Sequence, residues 1–334
     1  MKTYSFFDEP VKVSGVPLFI DGCPGRLPDY IREQLPNLSS HGVHCTGGRM
    51  ALRTDSPTFC VRLQLRTNSV DSGMSLYSAQ SAQVMVGERN NCRHLGVVNP
   101  RNYQTLTAEK TFHKSSEPEM ITVYFPPHEI IERIEIAVED GATVSAPTPY
   151  RCEKPVVFYG SSITAGACSC NISNAYNSIL SRWLDFDYYN LGFGGQAKGE
   201  LIIADYINTF DMSAFVFDYD HNAPTVEHLA ATHEPFFKRI RQVNPDLPIL
   251  MMSKPAEVYS ESDKARREVI RTTYENARAA GDTKVWFIDG ETFYGETDRN
   301  LCAVDNCHPN DLGFFRMATV IRPVLEEMLY PKRP

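Results

Sequence analysis

Five residues in the second half of the chain have the types that acyl-transfer chemistry requires: Ser162, Gly195, Asn222, Asp305 and His308. A serine hydroxyl is a weak nucleophile until a base takes its proton and donors receive the charge that develops on the attacked carbonyl. His308 is the candidate base. Asp305 lies three residues earlier, so it can turn back and accept from the second ring nitrogen. That contact would fix the tautomer and stabilise the imidazolium. Pro309 biases His308 towards extended backbone. The backbone amides of Ser162 and Gly195, with the side-chain amide of Asn222, offer three donors for an oxyanion. His221 adjoins Asn222 and is a rival base.

Taken singly, each of these has a plainer explanation. A Gly-Ser turn after a strand is common. A glycine-rich loop such as 192–195 can bind phosphate at a helix N-terminus, although no lysine sits where a P-loop needs one. A lone asparagine is usually a turn residue. An Asp-x-x-His stretch can simply cap a helix. The conjunction carries the weight, and it depends on the elements that position the five.

After residue 155 strands and helices alternate. Residues 156–159, Val-Val-Phe-Tyr, read as a strand buried on both faces, and Gly160, Ser161 and Ser162 follow at once. Apolar residues at helical spacing from Ala175 to Leu184 predict a helix. A strand near 188–191 leads into the glycine loop, and a helix passes through Ile202 and Ile207. A strand at 214–217 leads into Asp218, Tyr219, Asp220, His221 and Asn222. Helices are predicted over 225–243 and 263–280, the second stopped by Gly281, with strands at 249–252 and 285–288. The last helix is predicted to begin at Pro309. A five-stranded parallel sheet covered on both sides would place Ser162, Gly195, Asn222 and His308 along its carboxyl edge, where open α/β sheets bind ligands.

The first half has a different rhythm. Residues 59–66 alternate, with Phe59, Val61, Leu63 and Leu65 pointing one way and Arg62, Gln64 and Arg66 the other. Residues 120–125 and 133–138 alternate similarly. Turn signals separate such runs, among them Gly47 with Gly48, Ser72 with Gly73, and Asn99 with Pro100. An antiparallel β-sandwich is predicted, with one short helix over 27–35. Arg49, Arg53, Arg62 and Arg66 read as a solvated charged face, with a surface facing the second domain or its substrate as the alternative. His41, His44, His94, His113 and His128 lack metal-ligand spacing. Pro147, Pro149 and Pro155 mark a boundary. The expected division is a β domain over 1–145, a linker over 146–154 and an α/β domain over 155–334.

A length of 334 residues is enough for two such cores. The net charge of -8, with no basic stretch interleaved with aromatics, argues against nucleic acid as a partner. No apolar run is long enough to cross a membrane, and residues 1–10 lack a secretory pattern. Nine scattered cysteines, an odd number, argue against a disulfide framework. The expectation is a cytoplasmic protein. Cys168 and Cys170 follow the serine turn, and Cys307 precedes His308. A reversible disulfide from Cys307 to either is the alternative to reduced thiols. Association into a homo-oligomer is left open.

The motifs resemble the four blocks of the SGNH (GDSL-type) hydrolases. The first block, usually Gly-Asp-Ser, is Gly160, Ser161, Ser162, Ile163 and Thr164 here. The second-block glycine corresponds to Gly195 and the third-block asparagine to Asn222. The Asp-x-x-His block is Asp305 and His308. The resemblance implies a flavodoxin-like three-layer α/β domain and an ester or thioester hydrolase working through an acyl-serine. A jelly-roll-like β-sandwich ahead of it is similar to the two-domain carbohydrate esterases that remove acetyl groups from glycans. Residues 72–77 resemble their Gly-x-Asp-Leu-Tyr signature, with Ser75 in place of the aspartate. Ser161 likewise replaces the first-block aspartate, so other groups must make the hydrogen bonds around the serine turn. The expectation is a serine esterase without metal or organic cofactor, acting on an acetylated oligosaccharide or another small acyl ester. A lipid or thioester acylhydrolase is the alternative within this chemistry. A glycan-binding protein with an inactive hydrolase domain is the alternative outside it.

Overall fold

The computed structural model describes residues 1–68, 74–100 and 105–332. The Ser72 and Gly73 turn, and with it the start of the signature stretch, lies outside them. The chain forms two compact units, Met1–Arg151 with Cys170–Ser173, and Cys152–Ser169 with Asn174–Pro334.

In the first unit, Leu18–Ile20 pairs with Cys23–Gly25 in a separate two-stranded sheet, and most strands form two antiparallel sheets. One runs Lys2–Tyr4, Ile131–Val138, Thr58–Leu65, Thr107–His113 in spatial order. The other runs Val144–Ser145, Arg49–Thr54, Glu119–Tyr124, Ala82–Val86, Arg93–Val98. Phe59, Leu63, Ile134 and Ile136 from the first share one core with Met50, Leu52, Val84 and Ile121 from the second. Each such side chain contributes about 1.5–3 kcal/mol when withdrawn from water. This is the β-sandwich that the alternation implies.

Three features depart from the sequence expectations. Besides Asp29–Gln34, the unit holds the helices Ser39–Val43 and Leu76–Gln80. Ser75, standing where the resembling signature has aspartate, accepts from the Ser78 amide at 3.1 Å and so caps the second of these. Serine and aspartate are equally good at that task. Arg49 is not on a solvated face. It is only 2% exposed, and it donates to the Tyr150 hydroxyl at 2.7 Å and the Gly47 carbonyl at 2.8 Å. Arg53 donates to the Thr148 hydroxyl at 2.9 Å. Residues 148–150, expected in the linker, are thereby tied to the first unit.

In the second unit, the strands are Cys152–Gly160, Phe186–Gly192, Ala214–Asp218, Ile249–Met252 and Val285–Ile288. Every pairing among them is parallel, in the order second, first, third, fourth, fifth. That is the flavodoxin-like order. Alternate residues serve opposite faces, and both are apolar. Val156, Phe158, Val216, Leu250 and Met252 pack with the helices Tyr176–Leu184 and Asp311–Leu329. Tyr159 and Phe217 meet Phe236 of the helix Val226–Val243, and the Tyr159 ring stacks on Phe236 at 4.8 Å. This double burial explains the unbroken apolar runs.

The first strand begins at Cys152, inside the stretch expected as linker, where it pairs with Phe186. The helix Glu261–Ala279 starts earlier than expected, because Ser260 and Asp263 form a reciprocal capping box. Pro309 does not open the last helix. It bridges to Ala303, and Asn310 is the cap, its side chain accepting from the Leu312 and Gly313 amides. Among the described residues no helix is long and apolar enough to cross a membrane. Gly160 is level with both Gly192 and Asp218. The loops after the first three strands therefore leave from one height on one edge.

Candidate active site

The strand Cys152–Gly160 ends in a turn that starts a four-residue helix, Ser162–Ala165. Ser161 caps it, its hydroxyl accepting from the Ile163 amide at 3.1 Å. Gly166 closes it at φ 83°, a left-handed conformation that favours glycine. Ser162 is the first helical residue. Its Oγ is 2.8 Å from His308 Nε2. The other ring nitrogen, Nδ1, is 2.7 Å from Asp305 Oδ2. The three side chains thus form one chain of hydrogen bonds, drawn from opposite ends of the unit.

Asp305 also shapes the loop. Its Oδ1 accepts from the backbone amides of Cys307 at 3.1 Å and His308 at 2.7 Å. The loop bends back through Asn306 at φ 61°. The Val304 amide donates to the His308 carbonyl at 3.0 Å. Burial works against the Asp305 charge, but the His308 amide and ring and the Cys307 amide hold its pKa below the usual carboxylate value. An ionised Asp305 in this position keeps a proton on Nδ1 and leaves Nε2 free to accept from Ser162.

The loop after the second strand passes close to the serine. A methyl group on Gly192 would come within 2.2 Å of the Ala165 amide nitrogen, and one on Gly194 within 3.2 Å of Ser162 Cβ. Gly195 is crowded by nothing, but it adopts φ 67°. The Phe193 carbonyl gathers this loop. It accepts from the amides of Gln196 and Ala197 and, at 3.0 Å, from Asn222 Nδ2. Asn222 is thereby tied to the loop that carries Gly195, and the second hydrogen of its amide is left for another acceptor.

His221, the rival base, lies elsewhere. Its Nδ1 is 3.3 Å from Asp220 Oδ1, and its Nε2 is buried without a partner among the described residues. Among the described residues, none of Cys168, Cys170 and Cys307 is in a disulfide. Burial pushes the Cys307 thiol above its ordinary pKa, which disfavours a reactive thiolate.

The sequence reading passed over a buried polar cluster beneath the serine turn. The Thr164 carbonyl accepts from the side-chain amides of Asn177 and Asn190, each at 2.8 Å. Asn190 Oδ1 accepts in turn from the Gly192 amide at 2.9 Å. The Thr164 hydroxyl donates to Asp218. All four residues are buried. The signal for one of them was present in the sequence, since Asp218 is a charged residue directly ending a buried strand.

The sequence profile of the GDSL-like lipase/acylhydrolase family matches residues 153–326. No curated protein matches the chain at a significant level. Among solved structures, a Bacteroides ovatus protein described as a GDSL-like lipase is similar, with 24% identity and a TM-score of 0.85 over 98% of both chains. A salicylyl-acyltransferase from a tetracycline biosynthetic pathway shares 20% identity, with a TM-score of 0.81 over 99% of both chains. An acetyl xylan esterase from the rumen bacterium Butyrivibrio proteoclasticus shares 14% identity, with a TM-score of 0.61 over 98% of both. At these identities the likeness is one of fold.

Proposed function

Because the chain belongs to the GDSL-like lipase/acylhydrolase family, we propose that it is a serine esterase that removes O-acetyl groups from carbohydrates. The observation that carries the hydrolytic part is the continuous contact from Ser162 Oγ through His308 to Asp305, at 2.8 and 2.7 Å. Ser162 Oγ attacks the ester carbonyl while His308 Nε2 takes its proton. Asp305 stabilises the imidazolium through Nδ1. The charge on the carbonyl oxygen is received by the Ser162 and Gly195 amides and by Asn222 Nδ2. His308 then returns the proton to the leaving alcohol, and an acyl-serine remains. Water, deprotonated by the same imidazole, releases the acid and restores Ser162. These steps use only side chains and backbone amides of the second unit.

The acetyl-sugar part draws on the β-sandwich ahead of the hydrolase unit and on the fold shared with an acetyl xylan esterase. A panel of p-nitrophenyl acetate, butyrate and octanoate tests the acyl group. Acetylated oligosaccharides, followed by released acetate and product mass, test the alcohol. The expected result is preference for acetate and release from at least one acetylated sugar. Preference for octanoate would favour a lipid acylhydrolase, and no turnover would favour a glycan-binding protein with an inactive site.

Asn222→Ala is expected to lower kcat on p-nitrophenyl acetate about 10²–10³-fold, the usual effect of losing one oxyanion donor. KM should change little, because the interaction strengthens only in the transition state. Steady-state kinetics check it. Wild-type kcat would mean that the amide serves only the Phe193 carbonyl.

A further inference from the structure

The third strand of the parallel sheet ends in a carboxyl group that the reaction above does not use. Asp218 closes the strand Ala214–Asp218, stands level with Gly160, and is 4% exposed. Its carboxyl lies over Gly160. A methyl group there would sit 1.8 Å from Asp218 Oδ1 and 2.2 Å from Thr164 Oγ1. Gly160 is therefore glycine because a neighbouring strand's carboxyl occupies the place of its side chain. Two donors converge on that carboxyl, the Thr164 hydroxyl and the Ser161 backbone N–H. Among the described residues Asp218 makes no ion pair, so these hydrogen bonds are what offset its burial.

The two donors flank Ser162 in the chain. Ser161, which stands where the resembling first block has aspartate, already spends its side chain on capping Ile163. Its backbone amide is held by Asp218 instead. We propose that Asp218 is a positioning residue: by gripping Ser161 and Thr164 from the adjacent strand, it fixes the turn that presents Ser162 to His308. The proposal rests on Ser162 being the nucleophile. Burial pushes the Asp218 carboxyl well above the usual carboxylate pKa. Thr164 and Ser161 act against this and the nearby Asp220 adds to it. In both contacts the Asp218 carboxyl is the acceptor, and an amide oxygen can replace that.

The test compares Asp218→Ala, Asp218→Asn and Thr164→Val in the full chain. Two activities are read beside the melting temperature. One is kcat and KM on p-nitrophenyl acetate. The other is the rate at which a fluorophosphonate probe labels Ser162, followed by intact mass. Asp218→Ala should slow both labelling and kcat about 10–100-fold with KM unchanged, the scale of a small misplacement of a reacting group. Asp218→Asn should recover most of that rate, and Thr164→Val should fall between.

A folded Asp218→Ala that labels and turns over at the wild-type rate overturns the proposal, even if it melts earlier. So does an Asp218→Asn variant as slow as the alanine one. If Asp218→Ala does not fold, wild-type labelling in Thr164→Val overturns it. Labelling needs no ester, so the two readings fail separately. A wild-type chain that labels at Ser162 but hydrolyses no ester defeats the esterase reading and leaves this test standing. A wild-type Ser162 that resists the probe overturns both.

Discussion

Replacing Ser162 by alanine lowers kcat on p-nitrophenyl acetate by about 10³-fold or more and leaves the melting temperature unchanged. The size follows from serine hydrolases generally, in which loss of the nucleophile leaves only the rate supported by the oxyanion donors and binding. The unchanged stability follows from this structure. Ser162 begins the helix Ser162–Ala165, a position that alanine suits. Its hydroxyl bonds to His308 Nε2, whereas the helix is capped by Ser161. Ser161→Ala is the counterpart. It removes the cap, costs about 1 kcal/mol of stability, and keeps the nucleophile. Kinetics and thermal melts on the two variants check both halves. A deeper activity loss in Ser161→Ala would show that Ser161, one residue earlier in the turn, is the nucleophile.

The parallel sheet was legible because its physics is local. Residues 249–252 and 285–288 read directly as strands, since strands covered on both faces leave unbroken apolar runs bounded by turns. Helix ends were less legible. Pro309 suits a first helical position, but Asn310, which caps with its side chain, and the bridge from Pro309 to Ala303 decide otherwise. The helices Ser39–Val43 and Leu76–Gln80 are five residues each, too short to complete a helical repeat that a sequence pattern reveals. Arg49 read as surface because its partner, the Tyr150 hydroxyl, is 101 residues away.

The site divides in the same way. Ser162, Asp305 and His308 could be picked out because their chemistry is unusual at strand and helix ends, and the structure brings them into contact. Of the cluster Thr164, Asn177, Asn190 and Asp218, only Asp218, a charge ending a buried strand, gave such a signal. The cluster is held by hydrogen bonds between residues 13 to 54 positions apart, and buried polar pairs of that kind leave no periodic trace. Gly192 and Gly160 belong with it. In sequence they are turn glycines, whereas in the fold their missing side chains leave room for the Ala165 backbone and the Asp218 carboxyl.

His308→Ala should abolish turnover to the same extent as Ser162→Ala, because nucleophile and base act as one unit and removing either disables both. Asp305→Asn should cost about one to two orders of magnitude less than His308→Ala, since the imidazole remains. The geometry explains why asparagine still fails to substitute well. Asp305 uses both oxygens as acceptors, Oδ1 from the Cys307 and His308 amides and Oδ2 from His308 Nδ1. An asparagine has one acceptor and one donor. With its oxygen towards the backbone amides, its NH₂ faces Nδ1 and favours the tautomer protonated on Nε2, which cannot take the Ser162 proton. With its oxygen towards Nδ1, its NH₂ opposes the two amides and loosens the loop. His221→Ala is the control, because that ring faces Asp220 and its removal leaves the Ser162 contact in place. Its loss should be far smaller than that of His308→Ala. The three variants are compared by kcat on p-nitrophenyl acetate and by the labelling rate of Ser162. Wild-type activity in Asp305→Asn would show that another group orients His308. A His221→Ala variant as inactive as His308→Ala would move the base to the third-strand loop.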